Sequence, residues 1–193
     1  MREFRVALAA AALTLLAACG TAAPEQTTYQ VPTAPKADAT FNATDVMFLQ
    51  MMVTHHQQGL EMVKLARTRG TSEQVAMLAG AIEVTQTTEL EVMQGWLTGW
   101  GETTTADHHP NAHASHGGLP ITGADEMAAL RKATGSQFQT TFLNLLIGHQ
   151  HNAVEMARME TDGGANPQVK DLANRITLSR TEQIKQMLGM VAA

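Results

Sequence analysis

Residues 45–66, DVMFLQMMVTHHQQGLEMVKLA, decide the fold because their apolar positions recur with the period of one long amphipathic helix. At about 100° per residue, Met51, His55 and Met62 lie within roughly 40° of one another around the helix axis, while Lys64 points away. Thioether and imidazole groups therefore share the face that a partner helix must cover. This combination predicts a metal site in the helix interface, most consistent with copper.

The same pattern returns later in the chain, so that His55 matches His149 and Met62 matches Met156 at a constant offset of 94 residues. The offset continues through the next segment, where the matching apolar positions are Val75, Leu78, Ala79, Ile82 and Met93 in one half and Val169, Leu172, Ala173, Ile176 and Met187 in the other. We therefore predict an all-α fold in which two copies of a helical hairpin pack as a four-helix bundle. This packing should bring His55 and His149 towards a shared interior.

Helix start and stop signals set the boundaries inside the predicted domain at 43–193. Thr44 is the expected N-cap of the first helix, and Thr122 with Asp125 resembles a capping box that opens a short extra helix ended by Gly135. The predicted parts are copy one at 44–101, a His-rich loop with the short helix at 102–135, and copy two at 136–193.

The N-terminal segment is typical of an exported lipoprotein. Two arginines precede a short apolar run, which is too short to span a bilayer and predicts a signal peptide over residues 1–18. The run ends in Leu-Ala-Ala-Cys, and Cys19 is the only cysteine of the chain, as expected for a lipobox whose cysteine becomes the lipid anchor. The alternative is an ordinary signal peptide with an incidental cysteine. Residues 19–42 are rich in Ala, Thr and Pro and predict a flexible, lipid-anchored tether.

Composition argues against several function classes. The net charge is -5 and no basic run lies outside the N-terminus, which disfavours nucleic acid as a partner. A di-iron bundle would need Glu-x-x-His motifs on two helices, and the sequence has none. No nucleophile triad, phosphate-binding glycine loop or zinc-protease motif occurs either, so we do not expect an enzyme.

The first helix resembles the motif of the bacterial domain-of-unknown-function family 305. The matching residues are Asp45, Phe48, Met51, Met52, His55, His56, Gln57 and Met62. The resemblance covers nearly the whole domain and implies a ferritin-like fold and, as for some members, copper binding in the periplasm or cell envelope. The second copy departs from the motif, with His149-Gln150-His151 in place of a His pair and two leucines in place of the Met pair.

Thioether sulfur is a soft, uncharged donor that suits Cu(I), and neutral imidazole binds both copper states. Any histidine contribution should therefore fade below a pKa of about 6.5. The predicted metal ligands are Met51, His55, Met62, His149 and Met156, with His56, Met52 and His151 as further candidates whose angular positions are less favourable. The alternative is that the methionines only fill an adaptable core.

Glu89 and Gln183 are matched positions on the apolar stripes of their helices. We expect each to accept a hydrogen bond from the ring N–H of a histidine and so to fix its tautomer. Alternatively, both reach solvent at the rim of the bundle.

The connecting loop concentrates half of the histidines of the chain. Its candidate ligands for a second, Cu(II)-type metal site are His108, His109, His113 and His116. The alternative is a solvated linker. The whole sequence thus predicts an extracytoplasmic, membrane-anchored lipoprotein that binds copper for buffering or tolerance. The alternative function is a helical-bundle adaptor lipoprotein that binds a protein or peptide partner without metal.

Overall fold

The computed structural model describes residues 37–105 and 121–192, in which the long elements are all α-helices and no strand occurs. The helices are α1 (Ala43–Thr68), α2 (Glu73–Trp100), α3 (Ala124–Lys132), α4 (Gly135–Gly163) and α5 (Pro167–Val191). The predicted all-α bundle is confirmed. No helix in the described ranges is long and apolar enough to cross a membrane. The predicted signal peptide, Cys19 and the tether up to residue 36 lie outside the described residues.

The helix termini follow local side-chain chemistry more closely than expected. Asn42, not Thr44, caps α1: its side chain accepts from the backbone N–H of Thr44 and Asp45, and the Asp45 carboxylate accepts from the N–H of Asn42. Thr44 lies two residues further on, already inside the first turn of α1, because this capping box pairs Asn42 with Asp45, three positions on. Asn166 caps α5, with Pro167 in the first turn.

The start of α3 differs from the prediction. Gly123 stands at its N-cap and no side chain caps the helix, so Thr122 and Asp125 form no capping box. Thr122 is instead held by Gln58 of α1, and its hydroxyl turns towards His149. Gly135, expected to end the short helix, begins α4 with a positive φ of 56°.

The long helices pack as two hairpins, α1 with α2 and α4 with α5, which meet along α1 and α4. Two equivalent contacts join the hairpins, and the 94-residue offset relates the residues of one contact to those of the other. The Asp45 carboxylate accepts from the N–H of Asn166 at 2.9 Å, and the Gln139 side chain accepts from the N–H of Ser72 at 2.7 Å. Each contact fixes the beginning of one hairpin to the turn of the other.

The apolar core is divided into two clusters along the bundle. One contains residues from 48–53, 93–97, 153–157 and 169–176, and the other contains residues from 60–66, 75–82, 138–146 and 184–187 together with α3. On each long helix the residues between these stretches include buried or half-buried polar side chains. We call this set the central polar layer; its members are His55, His56, Gln86, Glu89, His149, Gln150, Arg180 and Gln183. The layer positions the candidate site at mid-height of the bundle.

Candidate metal centre

His55 and His149 meet in the central polar layer. Both are buried, and their rings stack with centroids 3.6 Å apart and an interplanar angle of 14°. Nε2 of His55 lies 2.9 Å from the backbone carbonyl oxygen of His149. A carbonyl only accepts, so Nε2 carries the proton and Nδ1 of His55 keeps its lone pair. This Nδ1 is buried and has no hydrogen-bond partner in the described part of the chain.

The ring of His149 is fixed from the other side. Its Nδ1 lies 3.3 Å from the hydroxyl oxygen of Thr122, and its buried Nε2 has no hydrogen-bond partner among the described residues. Gly59 provides the space for this nitrogen, because a Cβ at Gly59 would stand 2.9 Å from Nε2 of His149 and 2.5 Å from Oε1 of Gln86. His55 and His149 thus each keep one unpartnered ring nitrogen, and the two come from different hairpins.

Both rings are neutral at physiological pH. Burial lowers the pKa of His55 well below its usual value, and the neighbouring histidines lower it further. Burial, with the charges of His56 and Arg180, lowers the pKa of His149 to about 3. The expectation that histidine donation fades near pH 6.5 is therefore wrong for these two rings, because a buried imidazole resists protonation.

His56 is buried beside them and belongs to a charged group. Its Nε2 lies 2.7 Å from Oε2 of Glu89 and 3.2 Å from Nη2 of Arg180, and Arg180 also donates to the Glu89 carboxylate. Burial lowers the pKa of His56 despite Glu89. Burial alone would raise the pKa of Glu89, but its hydrogen bond with His56 and the charge of Arg180 outweigh this and lower it. Nε2 of His56 is therefore engaged, while its buried Nδ1 has no hydrogen-bond partner among the described residues.

Glu89 contacts a histidine ring nitrogen, as the sequence predicted, whereas the expectation for Gln183 is wrong. Gln183 accepts a hydrogen bond of 2.6 Å from the side-chain nitrogen of Gln150, because Gln150 stands where a second histidine pair would have placed a ring. Sequence reasoning missed Arg180. The available signal was an arginine at the position that matches Gln86, in line with the inward residues of α5.

The candidate methionines are all buried but lie on both sides of the layer. Met51, Met52 and Met156 belong to one apolar cluster and Met62 to the other. They flank the histidine pair along the bundle axis, a position compatible with soft donors and equally with core packing. Their role as ligands stays a prediction.

The remaining candidate ligands are His151 and the histidines of the connecting loop. His151 is exposed on α4, so its inclusion among ligands of the buried centre is wrong: two residues along a helix turn its side chain about 200° away from His149. The loop histidines His108, His109, His113 and His116 lie outside the described residues.

A surface pocket of ≈ 210 Å³ leads to His149 and is lined by Thr122, Glu126, Asn144 and Asn152 among others. Gln58 holds its rim through two hydrogen bonds, one from its side-chain nitrogen to the Thr122 carbonyl at 2.8 Å and one from the Thr122 N–H to its side-chain oxygen at 2.7 Å. This pocket is a direct approach to the buried pair.

The donor set fits a soft ion in its chemistry. Seven of the nine buried side-chain polar atoms that lack a partner in the described ranges belong to the central polar layer, and such atoms cost about 1–3 kcal/mol each when left unpaired. No group of three or more His, Cys, Asp or Glu suited to a metal occurs among the described residues, so a metal here would rest on two imidazoles and thioethers. Lone pairs lie in the ring planes, and nearly parallel planes do not converge on one atom. Binding to both rings therefore requires one of them to rotate.

Comparisons with known proteins agree with this architecture. A family model described as domain of unknown function (DUF305) matches residues 45–191. The solved structure of a DUF305 fragment from Deinococcus radiodurans is 28% identical, with a TM-score of 0.69 over 82% of this chain and 99% of that one. A DUF305 protein from Streptomyces coelicolor, regarded as secreted, is 29% identical, with a TM-score of 0.69 over 77% of this chain and 91% of that one.

A third solved structure is CopM in its Cu(I)-bound form. It is 26% identical, with a TM-score of 0.62 over 77% of this chain and 96% of that one. A comparison with curated proteins finds no match.

Proposed function

The chain belongs to the DUF305 family, as its first-helix motif predicted, and we propose that it is an extracytoplasmic protein that binds Cu(I) in its central polar layer. The observation that carries the proposal is the contact of His55 with His149, two neutral imidazoles from different hairpins that each keep one buried, unpartnered nitrogen. The likeness to CopM, solved in a Cu(I)-bound and in a Cu(II)-bound form, supports copper as the metal, and the soft, neutral donors favour Cu(I).

The residues contribute to binding in distinct ways. Burial keeps both imidazoles in the donor form, and the carbonyl of His149 fixes the tautomer of His55. The thioethers of Met51 and Met156 on one side and of Met62 on the other supply soft donors that carry no proton. With no cysteine in the domain, such a site holds copper without thiol oxidation.

The protein buffers copper or confers tolerance to it, without catalysis. Cys19 anchors it to the membrane after removal of residues 1–18, and the loop histidines form a second site for Cu(II). These parts of the proposal rest on the sequence: the lipobox, the apolar run before it and the density of histidines in the loop. The Streptomyces coelicolor relative is regarded as a secreted protein, which is consistent with export of this chain.

An anaerobic competition titration with a chromophoric Cu(I) chelator tests the proposal. The loop histidines are first replaced by alanine so that only the bundle contributes. His55→Gln and His149→Gln are then compared with His151→Gln, an exposed residue of the same helix. Glutamine already stands at Gln150, the position matching His56, so the layer accommodates this side chain.

We expect each of the two buried substitutions to weaken Cu(I) binding at least about tenfold, since even residues that only orient a ligand cost 10–100-fold when removed. His151→Gln should leave the affinity unchanged. Equal affinities for all variants would contradict the assignment. A folded parent protein that binds no Cu(I) would favour the adaptor alternative.

A further inference from the structure

The central polar layer contains one carboxylate and one guanidinium, and they are paired. Arg180 is fully buried, whereas 13% of the Glu89 side chain is exposed. Nη2 of Arg180 donates to Oε2 of Glu89 and lies 3.2 Å from Nε2 of His56. The same Oε2 lies 2.7 Å from Nε2 of His56. Arginine, carboxylate and imidazole therefore form one closed group.

The matching half of the layer is neutral. At the 94-residue offset, His56 corresponds to Gln150, Glu89 to Gln183, and Arg180 to Gln86. Gln150 donates to Gln183 at 2.6 Å, in the place where His56 meets Glu89. The same packing position is thus filled without any charge. Helix packing alone does not require a buried arginine at position 180.

The pairing changes what the layer offers to a cation. The charge of Arg180 lies beside the stacked rings, because its Nη2 is 3.2 Å from Nε2 of His56 and the ring centroids of His56 and His55 are 6.3 Å apart. Glu89 is neutralised and Nε2 of His56 is engaged, so the donors that remain are neutral imidazoles and thioethers. The cost of burying an ion rises with the square of its charge, so a divalent ion without an anionic ligand pays about four times the desolvation of a monovalent one.

Resting on the proposed function, we infer that Arg180 is a specificity-determining residue. It acts as a resident cation that neutralises the Glu89 carboxylate beside Nε2 of His56, and it restricts the centre to monovalent soft ions such as Cu(I) and Ag(I). Zn(II) and Cu(II) are rejected by charge as well as by donor softness.

The test compares Zn(II) with Cu(I) affinity in the protein whose loop histidines are replaced by alanine. Arg180→Gln copies the residue that already stands at Gln86, and it removes the cation that neutralises the Glu89 carboxylate. We expect the ratio of Zn(II) to Cu(I) affinity to rise at least about tenfold. This corresponds to about 1.4 kcal/mol of additional attraction between the divalent ion and the Glu89 carboxylate. The matched control is the Glu89→Gln, Arg180→Gln double variant, which makes both halves neutral and should show no such rise.

Arg180→Gln leaves a buried carboxylate without its partner, so its fold is checked first by the helical circular dichroism spectrum. If it does not fold, Gln183→Glu decides the question, because it adds a carboxylate at the matched, half-buried position without an arginine at position 86. This variant should also raise the Zn(II) to Cu(I) ratio.

The inference is overturned if the deciding variant binds Zn(II) no more tightly, relative to Cu(I), than the parent, or if the double variant gains as much as Arg180→Gln. Failure of the proposed function gives a different result: the parent itself then binds neither Cu(I) nor Ag(I) in the bundle.

Discussion

The imidazole of His55 lies on that of His149 with 3.6 Å between ring centroids, although the two residues are 94 positions apart in the chain. Each belongs to a different hairpin, so this stack is a direct link between the two halves of the bundle. Because both rings are buried and neutral, the link depends on their remaining unprotonated. The consequence can be measured in the metal-free protein.

We predict that the free energy of unfolding falls as the pH drops below about 6.5, the ordinary pKa of histidine in an unfolded chain. In the folded protein the pKa of His149 is about 3, so between these values only the unfolded state takes up the proton. Each such histidine should reduce stability by about 1.4 kcal/mol per pH unit in that window and have no effect above it. Urea unfolding at pH 7.5, 6 and 5 measures the slope.

His149→Gln should reduce this slope by about one proton, whereas His151→Gln, at an exposed position, should leave it unchanged. Identical slopes in both variants would show that the buried ring is not the group responsible.

We predict the opposite pH dependence for Glu160, which is fully buried beside Asp45. Burial and the Asp45 carboxylate raise the pKa of Glu160 to about 9. Burial would also raise the pKa of Asp45, but hydrogen bonds from the N–H groups of Asn42 and Asn166 outweigh it and lower the pKa. Glu160 is therefore the protonated member of this pair of carboxyl groups.

Since the unfolded state ionises Glu160 above pH 4.5 and the folded state does not until about 9, stability should be lost as the pH rises through this window. Glu160→Gln is uncharged at all pH values, so it should escape this loss. The free energy of unfolding of the variant, relative to that of the parent, should therefore be higher at pH 8 than at pH 5, by up to about 1.4 kcal/mol per pH unit. Thermal unfolding at the two pH values is the measurement. Glu155→Gln, on the exposed face of α4, is the control and should show no such difference.

The sequence was sufficient for the helices and for the meeting of His55 with His149, because the period places both inward and the constant offset places them at one height. It also placed Glu89 correctly, since a carboxylate on an apolar stripe needs a polar partner. It was not sufficient for Arg180, because periodicity does not say whether a long charged side chain stays buried or reaches solvent. Nor did it give the depth of burial that sets the pKa of the two rings.

We predict that Gln58→Ala opens the approach to His149. The substitution removes both hydrogen bonds that hold Thr122 over the pocket. Each contributes about 0.5–1.5 kcal/mol, so the open state of this segment should become about tenfold more populated. Hydrogen exchange at the Thr122 amide should accelerate accordingly, and Ag(I) should associate faster in stopped-flow measurements.

Gln57→Ala is the control, because its exposed side chain is adjacent in sequence but contributes neither of these bonds. If Gln58→Ala exchanges and loads metal at the parental rate, the two hydrogen bonds do not limit access to His149.

Gly59 and Gly80 both lie inside helices but differ in the space around them. Alanine is about 1 kcal/mol more favourable than glycine inside a helix, and a Cβ at Gly80 meets no atom within 4 Å, so Gly80→Ala should stabilise the protein by about that amount. At Gly59 the same Cβ would stand 2.5 Å from Oε1 of Gln86 and 2.9 Å from Nε2 of His149. Gln86 can turn away, but the stacked ring of His149 cannot move without disturbing His55.

Gly59→Ala should therefore not show the gain in stability that we expect for Gly80→Ala, and it should also weaken Cu(I) binding. Gly80→Ala should leave Cu(I) binding unchanged. Chemical denaturation and the Cu(I) competition titration, run on both variants, separate the two effects. A Gly59→Ala protein that is as stable as Gly80→Ala and binds Cu(I) like the parent would show that the free nitrogen of His149 does not need the space above residue 59. The metal would then have to approach the pair from another side.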